Sequence, residues 1–179
     1  MHPKNIASPS LTTEEVSSRL AYMPALDGLR ALAISAVVLY HADIEALPGG
    51  FLGVEVFFVI SGYLITALLF AEWQRNGRIV LTNFWLRRAR RLLPALYTLL
   101  FVVLGFAVLA LPEEVARLRR DALAAAVYVT NWYLIVQQQS YFETVGRPSL
   151  LQHLWSLAVE EQFYLIWPLI VAFGLRGGR

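Results

Sequence analysis

The chain alternates between long apolar runs and short polar clusters. A helix needs about 20 apolar residues to cross a membrane. Five runs approach that length, and spans are expected at roughly 30–47, 52–71, 92–111, 121–138 and 154–174. The first run carries Arg30 and His41. Eleven residues make about three helical turns, so the two side chains share one face, roughly 16 Å apart along the axis. Ionisable groups in an apolar run are costly and mark a functional face by default. That face is expected to be buried, with His41 deep in the apolar slab. A turn near Pro48, Gly49 and Gly50 joins the first two runs.

The polar clusters set an orientation. Residues 42–50 carry Asp43 and Glu45 and no Lys or Arg, whereas 72–91 carry Arg75, Arg78, Arg87, Arg88, Arg90 and Arg91. Basic loops stay in the cytoplasm. The acidic turn is therefore expected outside, with the arginine loop and the N-terminus cytoplasmic. Residues 1–20 read as a polar cytoplasmic tail, and no apolar stretch follows Met1, so a cleaved signal peptide is not expected. The third span is expected to start at Leu92-Leu93-Pro94, with proline tolerated in its first turn. Residues 112–120 hold Arg117, Arg119 and Arg120, which argue against the outside position that alternation gives them. Residues 139–153 form the one long polar excursion.

Composition agrees with a membrane chain. Apolar residues make up 58% of the 179, against about 45–50% in soluble domains. Mean hydropathy is +0.55 and the pI about 9.1. Lys4 is the single lysine, and the arginines sit at the ends of apolar runs, so topology explains the basic balance better than nucleic-acid binding. With no cysteine, a thiol nucleophile is excluded.

Candidate chemistry gathers at a few positions. His41 has two readings: a structural residue bonded to a neighbouring helix, or a neutral general base. Arg30 is a membrane-edge anchor or a phosphate contact. Arg87-Arg88-Ala89-Arg90-Arg91 is a topology signal, a lipid contact or an anion site. Ser61-Gly62 is small enough to admit another helix, and Ser61 can hydrogen-bond toward the first span. Glu55, near the outer end of span two, pairs with an arginine, orients His41, or lies exposed at the interface. His153, Ser156, Glu160 and Tyr164 follow i, i+3, i+7, i+11 spacing, one polar stripe on a helix. A metal is not expected at that spacing.

Arg30 and His41 separated by ten residues, then Gly-Gly-Phe-Leu-Gly-Val-Glu-Val-Phe-Phe-Val-Ile-Ser-Gly-Tyr over 49–63, resemble the opening of the membrane-bound acyltransferase-3 family. Arg88 and Arg91, measured back from Pro94, are similar to its Arg-x-x-Arg pair. Ser156, Leu157, Glu160, Phe163 and Tyr164 resemble its Ser-Leu-x-x-Glu-x-x-Phe-Tyr pattern. The resemblance runs from Tyr22 to Phe173.

It implies an all-α polytopic bundle, with about five spans of an expected ten, and residues 21–179 as the N-terminal half of the family's domain. A fragment or truncated product is therefore expected. The implied reaction moves an acyl group, expected to be acetyl, from acyl-CoA to a hydroxyl of a surface or lipid-linked carbohydrate at an inner membrane. No cofactor is bound; acyl-CoA is the donor substrate. The resemblance implies His41 as the essential histidine, Arg30 as a contact to the phosphates or the pantetheine end of CoA, and Arg88 with Arg91 as a clamp on its 3′-phosphate or pyrophosphate. Ser61 and Tyr164 line the substrate site, and Glu160 is either a second catalytic candidate or a lock between helices. The rival reading is a non-enzymatic membrane protein, a half-transporter or an interaction subunit.

Overall fold

The computed structural model describes residues 23–42, 44, 47–137 and 148–177. Among these every regular element is helical: α1 (Pro24–His41), α2 (Gly53–Asn76), α3 (Leu81–Ala110), α4 (Val115–Ala126), α5 (Thr130–Val136) and α6 (Leu154–Gly177). Short 3-10 turns at Gly50–Leu52 and Pro112–Glu114 precede α2 and α4. The all-α expectation holds. Three stretches, Gly50–Asn76, Leu81–Ala110 and Leu154–Arg176, are long and apolar enough to cross a membrane. The protein is therefore a membrane protein. The expected polar tail 1–20, Asp43 and Glu45 of the acidic turn, and 139–147 of the polar excursion lie outside the described residues.

The chain divides into two compact units, Met1–Ile79 and Val80–Arg179. In the first, Pro24 at the start of α1 and Asp27 in its first turn favour initiation there, by preset φ and by the helix dipole. The helix therefore starts before Arg30; its last residue is His41. His41 is the last helical residue and is exposed, which corrects the expectation of a buried, mid-span imidazole. The 3-10 turn and the start of α2 press onto α1 through glycine. A Cβ on Gly50 would strike the Ala36 carbonyl and come within 2.8 Å of Tyr40 Cβ. One on Gly53 would strike the Ala33 carbonyl and come within 2.8 Å of Val37 Cγ2. Gly77 ends α2 in the left-handed region, φ 65°, its N–H donating to the Trp73 carbonyl at 2.7 Å.

Only 77–80 separate α2 from α3, so most of the expected 72–91 loop is helix. Arginine is a good helix former, and nothing from Leu81 to Arg91 interrupts the pattern. Pro94 consequently lies inside α3 rather than in its first turn.

In the second unit Leu96, Leu100 and Ala107 of α3 pack with Leu118, Ala122 and Ala125 of α4. The expected span 121–138 is not one helix. It breaks at Tyr128, which has φ 55°. Two bonds close this turn: Tyr128 N–H to the Ala125 carbonyl at 3.0 Å, and Val129 N–H to the Ala124 carbonyl at 2.9 Å. The segment before α6 is tied to α4 by a buried pair, Ser149 Oγ donating to Asp121 Oδ2 at 2.5 Å. Gln162 of α6 holds the Tyr128 turn. Its Nε2 donates to the Tyr128 carbonyl at 2.8 Å and to Asn131 Oδ1 at 2.9 Å, while Asn131 Nδ2 donates back at 3.1 Å.

Candidate active site

In the first unit α1 carries Arg30 and His41 without a break between them. Arg30 Nη1 lies 3.7 Å from Asp27 Oδ1, one turn earlier. His41 Nδ1 stands 2.8 Å from the Val37 carbonyl oxygen. A carbonyl only accepts, so in the neutral imidazole this bond puts the hydrogen on Nδ1 and makes Nε2 the proton-accepting nitrogen. Tyr40 meets the His41 ring edge-on, centroids 5.4 Å apart. Ser61 is buried within α2, and Glu55 is exposed in its first turn.

In the second unit the motif Glu160-Glu161-Gln162 sends three consecutive side chains to three different partners. The Tyr164 hydroxyl donates to Glu160 Oε1, one turn away on α6. Glu161 Oε1 is 3.5 Å from Arg88 Nη2 of α3, an ion pair longer than a good hydrogen bond. Gln162 braces the Tyr128 turn as described. The Arg88 guanidinium also lies over the Tyr164 ring, 3.2 Å from its centroid. Cation–π contact and a counter-charge together make an arginine tolerable in an apolar helix pair.

The backbone supplies one more link. Pro168 lies four residues after Tyr164 and has no N–H, so the Tyr164 carbonyl lacks its helical donor. Trp85 Nε1–H of α3 fills that role at 3.1 Å. Trp85, Arg88, Tyr128, Glu161 and Tyr164 line an open pocket of about 180 Å³, together with Ala89, Leu92, Leu93 and Leu165. Burial first, and the Glu161 carboxylate second, push the Tyr128 phenol above its ordinary value. Its hydroxyl therefore stays protonated at neutral pH.

Of the residues singled out in the sequence, Arg88, Glu160 and Tyr164 form one cluster. Arg91 points elsewhere: it is exposed and does not line the pocket. His153 precedes α6 and is exposed, so the expected four-residue stripe begins one step later, with Ser156 Oγ donating to the His153 carbonyl at 3.2 Å. Sequence reasoning missed Glu161, Trp85 and Tyr128. The Trp85 contact had a readable signal, a proline four residues beyond Tyr164. Glu161 had none, because adjacent carboxylates look alike until α3 supplies Arg88.

A family model described as an acyltransferase domain, that of acyltransferase 3, matches residues 23–179. The chain belongs to the acyltransferase-3 family. Within that family it is 52% identical over 147 residues to a peptidoglycan O-acetyltransferase, OatA, of Listeria monocytogenes, covering 82% of this chain and 24% of the relative. It is 51% identical over 152 residues to the O-acetyltransferase OatA of Staphylococcus aureus, covering 85% of this chain and 25% of the relative. The chain thus spans about a quarter of the length of these acyltransferase-3 relatives. No solved structure matches it.

Proposed function

We propose that the chain forms the N-terminal half of a membrane O-acyltransferase domain. Its reaction moves an acetyl group from acetyl-CoA to a carbohydrate hydroxyl, with peptidoglycan the foremost acceptor. The observation that carries this reading is the 51–52% identity to two relatives named as O-acetyltransferases, one of them for peptidoglycan.

In the proposed reaction Nε2 of His41 takes the proton of the acceptor hydroxyl. The oxygen attacks the thioester carbonyl, the C–S bond breaks, and the CoA thiolate recovers the proton. The bond from Nδ1 to the Val37 carbonyl supports this role, because it fixes the tautomer a base requires. Arg30, Arg88 and Arg91 serve the donor, with exposed Arg91 suited to its phosphates. Ser61 and Tyr164 belong to the substrate site, and Glu160 orients Tyr164 through its hydroxyl. The protein sits in the cell's inner membrane with its N-terminus in the cytoplasm, on the side where acyl-CoA is made.

The test is transfer by the protein in lipid nanodiscs, given acetyl-CoA labelled in the acetyl group and peptidoglycan fragments. Labelled, alkali-labile esters on the glycan are expected. No label on the glycan, or label confined to its amino groups, overturns the reading.

A further inference from the structure

Residues 92–110 of α3 carry no charged side chain and rise about 29 Å, close to the ~30 Å of a bilayer core. Arg87, Arg88, Arg90 and Arg91 bound this stretch at one end. At the other end the chain turns at Pro112–Glu114 and enters α4, which carries Arg117, Arg119 and Arg120. α4 runs back along α3. Its Leu118, Ala122 and Ala125 pack with Leu96, Leu100 and Ala107, and the Tyr97 hydroxyl donates to the Ala126 carbonyl at 3.5 Å. The two arginine groups therefore stand at opposite edges of the bilayer. The positive-inside rule accounts for one of them and gives no reason for the other.

Arg119 and Arg120 are exposed, and among the described residues neither makes an ion pair. Arg117 is half-buried and already partnered. The one carboxylate of α4, Asp121, is buried and accepts from the Ser149 hydroxyl. Glu113 is exposed in the preceding turn, so two guanidinium charges stand against one carboxylate. Leu123 follows Arg119 by four residues and Arg120 by three, and Val127 lies four further on. Such spacing makes one stripe. Leu123 is 71% exposed and Val127 66%. The stripe is thus cationic at the membrane edge and apolar toward the bilayer centre. We propose that it seats an anionic phospholipid of the leaflet opposite Arg88 and Arg91, with the phosphate on Arg119 and Arg120 and an acyl chain along Leu123 and Val127. The guanidinium fork suits a phosphate. The apolar half of the stripe offers a sugar's hydroxyls no partner, so it favours a lipid over a free glycan. With the arginines of 75–91 in the cytoplasm, this is the outer leaflet. The site does not depend on acyl transfer.

The chain has no cysteine, so Leu123→Cys gives a single attachment point for a thiol-reactive fluorophore. The labelled protein is placed in phosphatidylcholine nanodiscs that contain a quencher lipid with a nitroxide on its acyl chain. The quencher is phosphatidylglycerol or phosphatidylcholine, at equal mole fraction. An arginine near a membrane surface favours an anionic lipid about fivefold, so phosphatidylglycerol should be preferred at position 123 by at least about that factor. The same label on Phe101→Cys, an exposed position of α3, should show no preference. Arg119→Gln with Arg120→Gln should abolish the preference at 123. Quenching by phosphatidylcholine should stay as it was, which reports that the helix is still folded and faces lipid. Equal quenching by the two lipids at 123, with both arginines in place, overturns the proposal without any arginine variant. So does a preference that survives the double change, or one matched at position 101. Unlabelled polyprenyl diphosphate should relieve the phosphatidylglycerol quenching no better than unlabelled phosphatidylglycerol at the same mole fraction. Stronger relief would assign the stripe to a lipid-linked glycan carrier and overturn the proposal.

Discussion

Arg88 enters an apolar helix pair with a carboxylate on one side and a tyrosine face on the other. Breaking such a pair is more damaging than deleting it, because the surviving charge stays buried. Glu161→Ala should lower stability by roughly 3 kcal/mol, the low end for a buried pair. The low end applies because the Arg88 and Glu161 side chains keep 24% and 18% exposure. The double change Arg88→Met with Glu161→Leu should recover most of that loss. Thermal unfolding of the two variants in detergent checks this, and a double variant less stable than the single one contradicts it. At this scale the sequence was legible where a residue carries its own signal. Arg88 stood out in an arginine cluster, Glu160 and Tyr164 in a polar stripe entering an apolar run, and the three do meet. The division of labour between Glu160 and Glu161 was not legible, since it depends on a partner more than seventy residues away in the chain.

Among the elements, α1 and α2 approach each other closely at glycine. Gly50 and Gly53 face the carbonyls of Ala36 and Ala33 so closely that no Cβ fits. Gly53→Val should force the helices apart and destabilise the unit by about 1–3 kcal/mol, the usual cost of overpacking. Gly28, on α1, has open space around a built Cβ, so Gly28→Ala should be neutral or stabilising by about 0.5–1 kcal/mol through helix propensity alone. Protease resistance of the pair of variants in membranes separates the two. Equal resistance would show that the glycine contact does not hold the hairpin. The sequence marked Gly49 and Gly50 as a turn, and the turn is there. It did not mark the break at Tyr128, because no Gly or Pro lies between Asp121 and Gln138. That break is stabilised from α6 by Gln162, a partner 34 residues away. Local pattern could not reveal it, and a continuous apolar run was read as one span.

At the scale of the whole molecule, three stretches are long and apolar enough to cross a membrane, and the arginines of 75–91 contrast with a 42–50 turn that has none. The arginines of 75–91 should face the cytoplasm and the 42–50 turn the outside. A cysteine at Asn76 should be shielded from an impermeant maleimide in intact cells, and one at Pro48 should react; the opposite pattern would reverse the topology. The membrane class and the all-helical fold were legible because hydropathy alone sets them. The end of α1 was not: the apolar run was read as continuing to residue 47, whereas the helix stops at His41. His41 is exposed there, with its Nδ1 on the Val37 carbonyl. The central claim is acyl transfer that depends on the other ring nitrogen of His41. Its most direct test is acetyl transfer to glycan by the membrane-embedded protein, compared for wild type, His41→Ala and His41→Gln at equal amounts of folded protein. A general base contributes about 10²–10⁴-fold, so both variants should lose at least that much, with Gln no better than Ala. A His41→Gln protein that transfers acetyl at close to the wild-type rate would contradict the account.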